Sequence, residues 1–283
     1  MPTFPIIDTH VHLWDTDILR YPWLEEVPLL NKPFLLNDYN KAIADVKVDK
    51  IVFLQCECSF EQFREEAQWV TQLAQEDIRI QGIVPWAPLE KGEEVKSDLE
   101  KFSDNKLIKG IRRIIQFEPD MDFCLRPDFI RGVQLLEMFD LTFDICISHS
   151  QLKNTLKLVR LCPNVHFILN HIGKPDIKSR LFDDWKSDIT ELAKMGNVYC
   201  KMSGLVTEAD HINWSKEDLK PYIDHILDSF GFDRVLFGGD WPVVLQASDY
   251  KRWVGALDWA LSGCSEDSSR RIYRDNALSF YKL

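Results

Sequence analysis

The sequence reads as an α/β protein, a (β/α)8 TIM barrel with a long first βα loop. Three observations predict it. Eight short apolar runs recur along the chain, helical patterns alternate with them, and the length of 283 residues is close to the ~250 residues of one such barrel. The runs cover residues 5–12, 50–55, 78–85, 107–114, 141–147, 165–170, 198–202 and 234–239. They are almost continuous in Ile, Val, Leu and Phe, as strands buried on both faces of a parallel sheet must be. Eight of them alternating with helices favour a closed barrel over an open sheet. No linker rich in Gly, Ser or Pro divides the chain, so residues 1–283 are expected to form one TIM-barrel domain.

The elements follow in order. The connection after the first run, residues 13–47, holds Trp14, Tyr21, Pro22, Trp23, Pro28 and Pro33 before a short helix expected over 38–44. Long βα connections lie on the catalytic face of a barrel, so this one is read as a lid or a pocket wall. Phe63, Ala67, Val70 and Ala74 share a helix face, with Ser59 and Gln62 expected to form a capping box. Residues 116–127 form a polar connection, and Pro127 suits the first position of a helix carrying Ile130, Val133 and Leu136. Leu152, Leu156 and Val159 follow the fifth run; Trp185, Ile189, Leu192 and Ala193 follow the sixth. Ser215 and Asp218 are expected to box the start of a helix with Leu219, Tyr222, Ile223 and Ile226. Tyr250, Trp253, Val254 and Leu257 follow the eighth run.

Composition removes several functions. A formal charge of −11 argues against nucleic acid or an anionic membrane surface as partner and leaves a small-molecule substrate. No apolar run approaches ~18 residues, so no membrane span is expected. The seven cysteines are odd in number and scattered, which reads as buried free thiols in a reducing compartment. Cys56 and Cys58 have no second pair at zinc spacing. The opening residues MPTFPIIDTHVH lack the basic and apolar regions of a secretion signal, so the expected location is the cytoplasm. Monomer and homodimer fit the sequence equally.

The chemistry gathers where strands end. Residues i and i+2 of a strand share a face, so His10 and His12 are expected to point together into the barrel mouth. His171 closes the sixth run in ILNHIGKP and Asp240 closes the eighth in VLFGGDWP. Catalytic residues of barrels stand at these ends, and strand eight neighbours strand one. Two or three imidazoles and a carboxylate can hold one divalent ion, and a carboxylate there can take a proton from an attacking water. At the same level stand Gln55 and Glu57 after strand two, and Arg112, Arg113 and Gln116 after strand four. His149 follows strand five, Lys174 strand six, and Lys201 and Ser203 strand seven. These are candidates to hold substrate oxygens, with Trp14 and Trp23 as stacking surfaces. Strand alternation lets only one of Arg112 and Arg113 enter the mouth.

These same segments carry a family resemblance. IIDTHVHLWD at 6–15, GIVPWAPLE at 82–90, IKGIRRIIQFEPD at 108–120, HIGKP at 171–175, NVYCKMSGL at 197–205, FGGDWPV at 237–243 and DNALSFY at 275–281 occur in the right order. The chain resembles the amidohydrolase-2 group of the amidohydrolase superfamily, in its L-fuconolactonase and L-rhamnono-lactonase branch. The resemblance implies metal-ligand or catalytic roles for His10, His12, His171 and Asp240. It also implies one divalent ion, zinc or manganese, on which not every member of this branch depends. His149 lies near a fifth-strand ligand position of the wider superfamily, but the lactonase branch tends not to keep a histidine ligand there.

The expected function is hydrolysis of a sugar 1,4- or 1,5-lactone, such as a deoxyhexonolactone, to the open hydroxy acid. The alternatives are a dicarboxylate-lactone hydrolase, a metal-dependent decarboxylase, and a barrel that binds a sugar acid without turnover.

Overall fold

Strands apolar on both faces have one stable environment, the wall of a barrel with helices outside it. The computed structural model, which describes residues 1–283, places them there. The strands are β1 (Ile6–Val11), β2 (Val48–Leu54), β3 (Ile80–Val84), β4 (Gly110–Ile111), β5 (Thr142–Ile145), β6 (Phe167–Leu169), β7 (Val198–Met202) and β8 (Val235–Phe237). All neighbours run parallel, β1–β2–β3 in one ladder and β4 to β8 in another. Two seams join the ladders. At the first, Ile83 bridges Ile108, and its N–H donates to Leu107 O at 2.7 Å. At the second, Val11 bridges Trp241; His12 N donates to Trp241 O and Asp240 N to His10 O, both at 2.8 Å. The barrel therefore closes through the residues His10, His12 and Asp240 themselves.

The helices are α1 (Leu36–Ile43), α2 (Phe63–Glu76), α3 (Lys96–Ser103), α4 (Pro127–Leu135), α5 (Leu152–Leu161), α6 (Asp183–Ala193), α7 (Leu205–Glu208), α8 (Lys216–Phe230), α9 (Tyr250–Ala260), α10 (Glu266–Arg270) and α11 (Asn276–Phe280). Outward strand residues such as Ile51, Phe53, Phe143 and Phe237 pack beneath them. Inward residues Ile7, Val52, Leu54, Val84, Ile168 and Leu236 form a separate inner cluster. Ala277, Phe280 and Tyr281 join that inner cluster from the C-terminal segment and close the end of the barrel where the strands begin. No helix is long and apolar enough to cross a membrane.

The Ser215 box forms as expected. Ser215 Oγ accepts from Asp218 N at 3.3 Å, and the Asp218 carboxylate accepts from Ser215 N at 3.0 Å. The Ser59–Gln62 box does not form. A 3-10 turn, Phe60–Gln62, precedes α2, and Gln62 Oε1 accepts from Arg20 N at 2.9 Å, tying the first loop down instead. The expected strands were longer than the ladders because apolar runs report burial, and residues past the last ladder bond are still buried in the mouth. Residues 112–114 are the clearest case: Arg112 N still bonds Pro85 O, but β4 itself is two residues long.

Candidate active site

The long first connection is a wall. Trp14 and Phe34 exchange backbone bonds at 3.1 and 2.9 Å, which folds the segment back over the mouth. Trp14 packs edge-on against Trp23 and Phe34. Each indole is fixed at its N–H, Trp14 to Lys32 O and Trp23 to Cys56 O, both at 2.8 Å. The two rings are thus held as one side of a cavity of about 210 Å³. This is below the usual range for drug-sized ligands, ~300–1,000 Å³, and suits a single small ring.

His12, His171 and Asp240 lie in that cavity's lining, and His10 lies directly behind them. The β1–β2 register shifts between Asp8 and Val11. Asp8 consequently receives the hydroxyls of Tyr39 and Tyr250, from α1 and α9, while the His10 and His12 rings converge at 5.0 Å between centroids. Two glycines make room for the cluster. A Cβ at Gly238 would stand 2.6 Å from His10 Cβ, and one at Gly204 would stand 2.4 Å from His171 Nδ1. Nine non-glycine residues have positive φ, and four of them, Glu57, His171, Lys174 and Asp240, line this cavity. Such backbone is costly and persists where surrounding structure imposes it, commonly at functional sites.

Asp240 Oδ1 is the centre of the geometry. It is buried without a hydrogen-bond partner. Nε2 of His10 and of His12 each stand 3.6 Å away, and Nε2 of His171 stands 3.9 Å away. Burial holds the imidazoles neutral: His10 falls well below its ordinary range, His12 is lowered, and His171 falls to about 3. Burial alone would raise the Asp240 carboxyl, but His171, the His12 ring and Lys174 outweigh it and hold the group below the ordinary carboxylate range. Near neutral pH this is one carboxylate among three neutral rings.

The tautomers follow from the partners. His12 Nδ1 lies 2.8 Å from Leu54 O, so it carries the hydrogen and Nε2 presents a lone pair. His10 Nε2 lies 3.2 Å from Arg112 Nη1; a guanidinium only donates, so His10 Nε2 accepts. His10 Nε2, His12 Nε2 and Asp240 Oδ1 are therefore all acceptors, gathered within 4.8 Å of one another. Acceptors facing one another without hydrogens fit a cation, and two imidazoles with a carboxylate suit a divalent ion such as zinc. His171 stands outside this group of three, beside it.

The remaining expected residues divide into two kinds. Glu57, Arg112, Lys174, Trp14 and Trp23 line the cavity. The others stand one layer behind. Gln55 clamps Glu57, donating to its carboxylate at 2.8 Å and accepting from its backbone N–H at 2.6 Å. Ser203 Oγ bonds His171 Nδ1 at 2.9 Å, and His149 Nδ1 bonds Lys174 O at 3.0 Å. Two basic residues are engaged elsewhere. Arg113 pairs with Glu90 at 3.2 Å and Glu118 at 2.5 Å, outside the mouth, so of the two arginines only Arg112 enters. Lys201 is wholly buried below the mouth, 2.6 Å from Asp144 Oδ2, which also receives Asn170 and Tyr281. Its expected place on substrate is corrected accordingly: β7 turns it into the barrel interior, where a buried ammonium needs its carboxylate. Phe117 and Thr207 in the lining were not singled out, because isolated apolar or hydroxyl residues in connections carry no pattern.

The comparisons agree with this geometry. The profile of a family described as "Amidohydrolase" matches residues 7–283. The chain is 28% identical to an L-fucono-1,5-lactonase of Burkholderia multivorans, over 98% of this chain and 96% of that one. It is 25% identical to an L-rhamnono-gamma-lactonase of Scheffersomyces stipitis, over the whole of both. A crystal structure of an amidohydrolase from Burkholderia multivorans with bound zinc superposes with a TM-score of 0.89 at 26% identity, covering 99% of this chain and 100% of that one.

Proposed function

We propose that this chain, which belongs to the amidohydrolase family, opens the ring of a sugar-derived lactone by adding water to its ester carbonyl. The observation that carries the reading is the state of Asp240: an ionised carboxylate, buried at the cavity lining, with Oδ1 free of any hydrogen-bond partner. The names of the similar lactonases from Burkholderia multivorans and Scheffersomyces stipitis support it.

In this reading Asp240 Oδ1 takes a proton from water, and the water oxygen bonds to the lactone carbonyl carbon. The carbonyl π pair moves onto its oxygen, where the positive charge of Arg112, which lines the cavity, stabilises it. Collapse restores the C=O bond and breaks the ring C–O bond. The alkoxide leaves with the proton held by Asp240, and the product is the open hydroxy acid. His171, fixed by Ser203, orients Asp240 from the side. A divalent ion held by His10, His12 and Asp240 would, when bound, polarise the ester carbonyl and lower the pKa of water.

Charge favours a hydroxylated substrate over a dicarboxylate. Arg113 and Lys201 are paired away from the cavity, which leaves Arg112 and Lys174 facing Glu57 and Asp240. Two cations against two carboxylic groups make a poor clamp for two further carboxylates, whereas Glu57, Gln116, Lys174 and Thr207 offer donors and acceptors to hydroxyls. A panel of sugar 1,4- and 1,5-lactones, read by acid release with a pH indicator, tests the proposal. Turnover is expected on at least one deoxyhexonolactone. No acid release from any lactone, with carbon dioxide released from an aromatic acid, would replace hydrolysis by decarboxylation.

A further inference from the structure

The guanidinium of Arg112 occupies one of the three acceptors that would hold a cation. Its Nη1 donates to His10 Nε2 at 3.2 Å, and its Nη2 donates to Gln55 O. Arg112 is 3% exposed, so this is a seated side chain and not a surface contact. His10 Nε2 has one lone pair. A divalent ion bound by that nitrogen lies about 2.1 Å from it along the same direction and would overlap Nη1. The remaining two members of the group, His12 Nε2 and Asp240 Oδ1, have no donor upon them in the protein.

We propose that Arg112 and a divalent ion compete for His10 Nε2, so that one centre exists in two exclusive forms, guanidinium-seated and metal-bound. In the first form Arg112 holds His10 Nε2 and leaves His12 Nε2 and Asp240 Oδ1 without a donor. In the second it has left His10, and the ion takes His10, His12 and Asp240. Repulsion between a guanidinium and a divalent ion a few ångströms apart in a buried site enforces the exclusion even where the two do not touch. The shift of Arg112 leaves Gln55 O without its donor, which adds to the cost of metal entry. The inference concerns binding and does not depend on which substrate the site accepts.

The test is Zn²⁺ affinity of the protein stripped of metal, measured by competition with a chromophoric chelator. Arg112→Met keeps most of the stem and removes the guanidinium. It is expected to bind Zn²⁺ at least about tenfold tighter than the parent. Lys174→Met is the control: it removes a cavity-lining ammonium whose Nζ bonds no histidine and faces Glu208, and its gain is expected to be several-fold smaller. Equal or weaker affinity in folded Arg112→Met, absence of binding to both proteins included, overturns the proposal. So does an equal gain in Lys174→Met, which would reduce the effect to general charge. Should Arg112→Met not fold, the parent answers the question alone. In a Zn²⁺ titration of ¹⁵N-labelled protein, the Arg112 Nε–H and His10 ring signals are expected to shift with one midpoint. A His10 signal that moves while the Arg112 signal stays would contradict the exclusion.

Discussion

Nε2 of His12 stands 3.6 Å from Oδ1 of Asp240, and neither atom carries a hydrogen. The pair is stable only with a positive partner between or beside its members, whether a guanidinium, a proton in transit or a metal ion. That relationship sets the pH behaviour of the site. The Asp240 carboxyl is lowered, so its basic form is present above the ordinary carboxylate range and lost only at lower pH. His12 and His171 are lowered as well, so they remain neutral as pH falls through 6.5, the ordinary histidine value. The profile of kcat/KM is expected to show no histidine inflection near pH 6.5. An inflection near 6.5 would show that a histidine of the cluster titrates as in water.

Stability is expected to respond to Glu66 instead. This carboxyl is wholly buried behind Cys56, whose N–H donates to it at 3.1 Å, and burial raises it from 4.5 to about 8. Between those values the folded state holds a proton that the unfolded state has released. Its contribution is therefore complete below about pH 4.5 and declines as pH rises towards about 8, by at most about 1.4 kcal/mol per pH unit. Glu66→Gln keeps the shape and removes the titration. Denaturant unfolding at several pH values should show the decline in the parent and a shallower one in the variant.

Lys201 separates fold from substrate. Replacing it by Met leaves Asp144 buried with Asn170 and Tyr281 only. The expected loss of stability is about 3–5 kcal/mol, the usual result of breaking one side of a buried pair. KM is expected to stay within about twofold, because Lys201 does not reach the cavity. A large rise in KM with unchanged stability would return Lys201 to the substrate.

Selectivity tests the reading of the cavity. Relative kcat/KM should rank a deoxyhexonolactone above an unsubstituted butyrolactone by roughly 10² or more, since missing hydroxyls leave buried polar groups unpaired. A pyrone dicarboxylate should be poorer than the sugar lactone. Preference for the dicarboxylate would recast Arg112 and Lys174 as a carboxylate clamp.

Much of this was legible in the sequence. Continuous apolar runs placed all eight strands, and strand ends placed His10, His12, His171 and Asp240 at one level. What the runs could not convey is how far each ladder extends, because burial continues past the two residues of β4 into Arg112 and Ile114. Nor could position along a strand distinguish cavity from support. Gln55, Ser203 and His149 stand at the expected level but bond Glu57, His171 and Lys174, and that layering depends on positive φ at all three of those residues. Asp144 was unread because nothing local marks a carboxylate in an apolar strand as the partner of Lys201, a residue 57 positions away.

The most direct measurement is turnover by Asp240→Asn on a lactone that the parent hydrolyses, with folding verified by circular dichroism and thermal unfolding. The asparagine keeps the shape and cannot take the proton of water. Loss of kcat by about 10²–10⁴ in a folded protein is the predicted result. Parental turnover in the folded variant would contradict the assignment of Asp240 as the base.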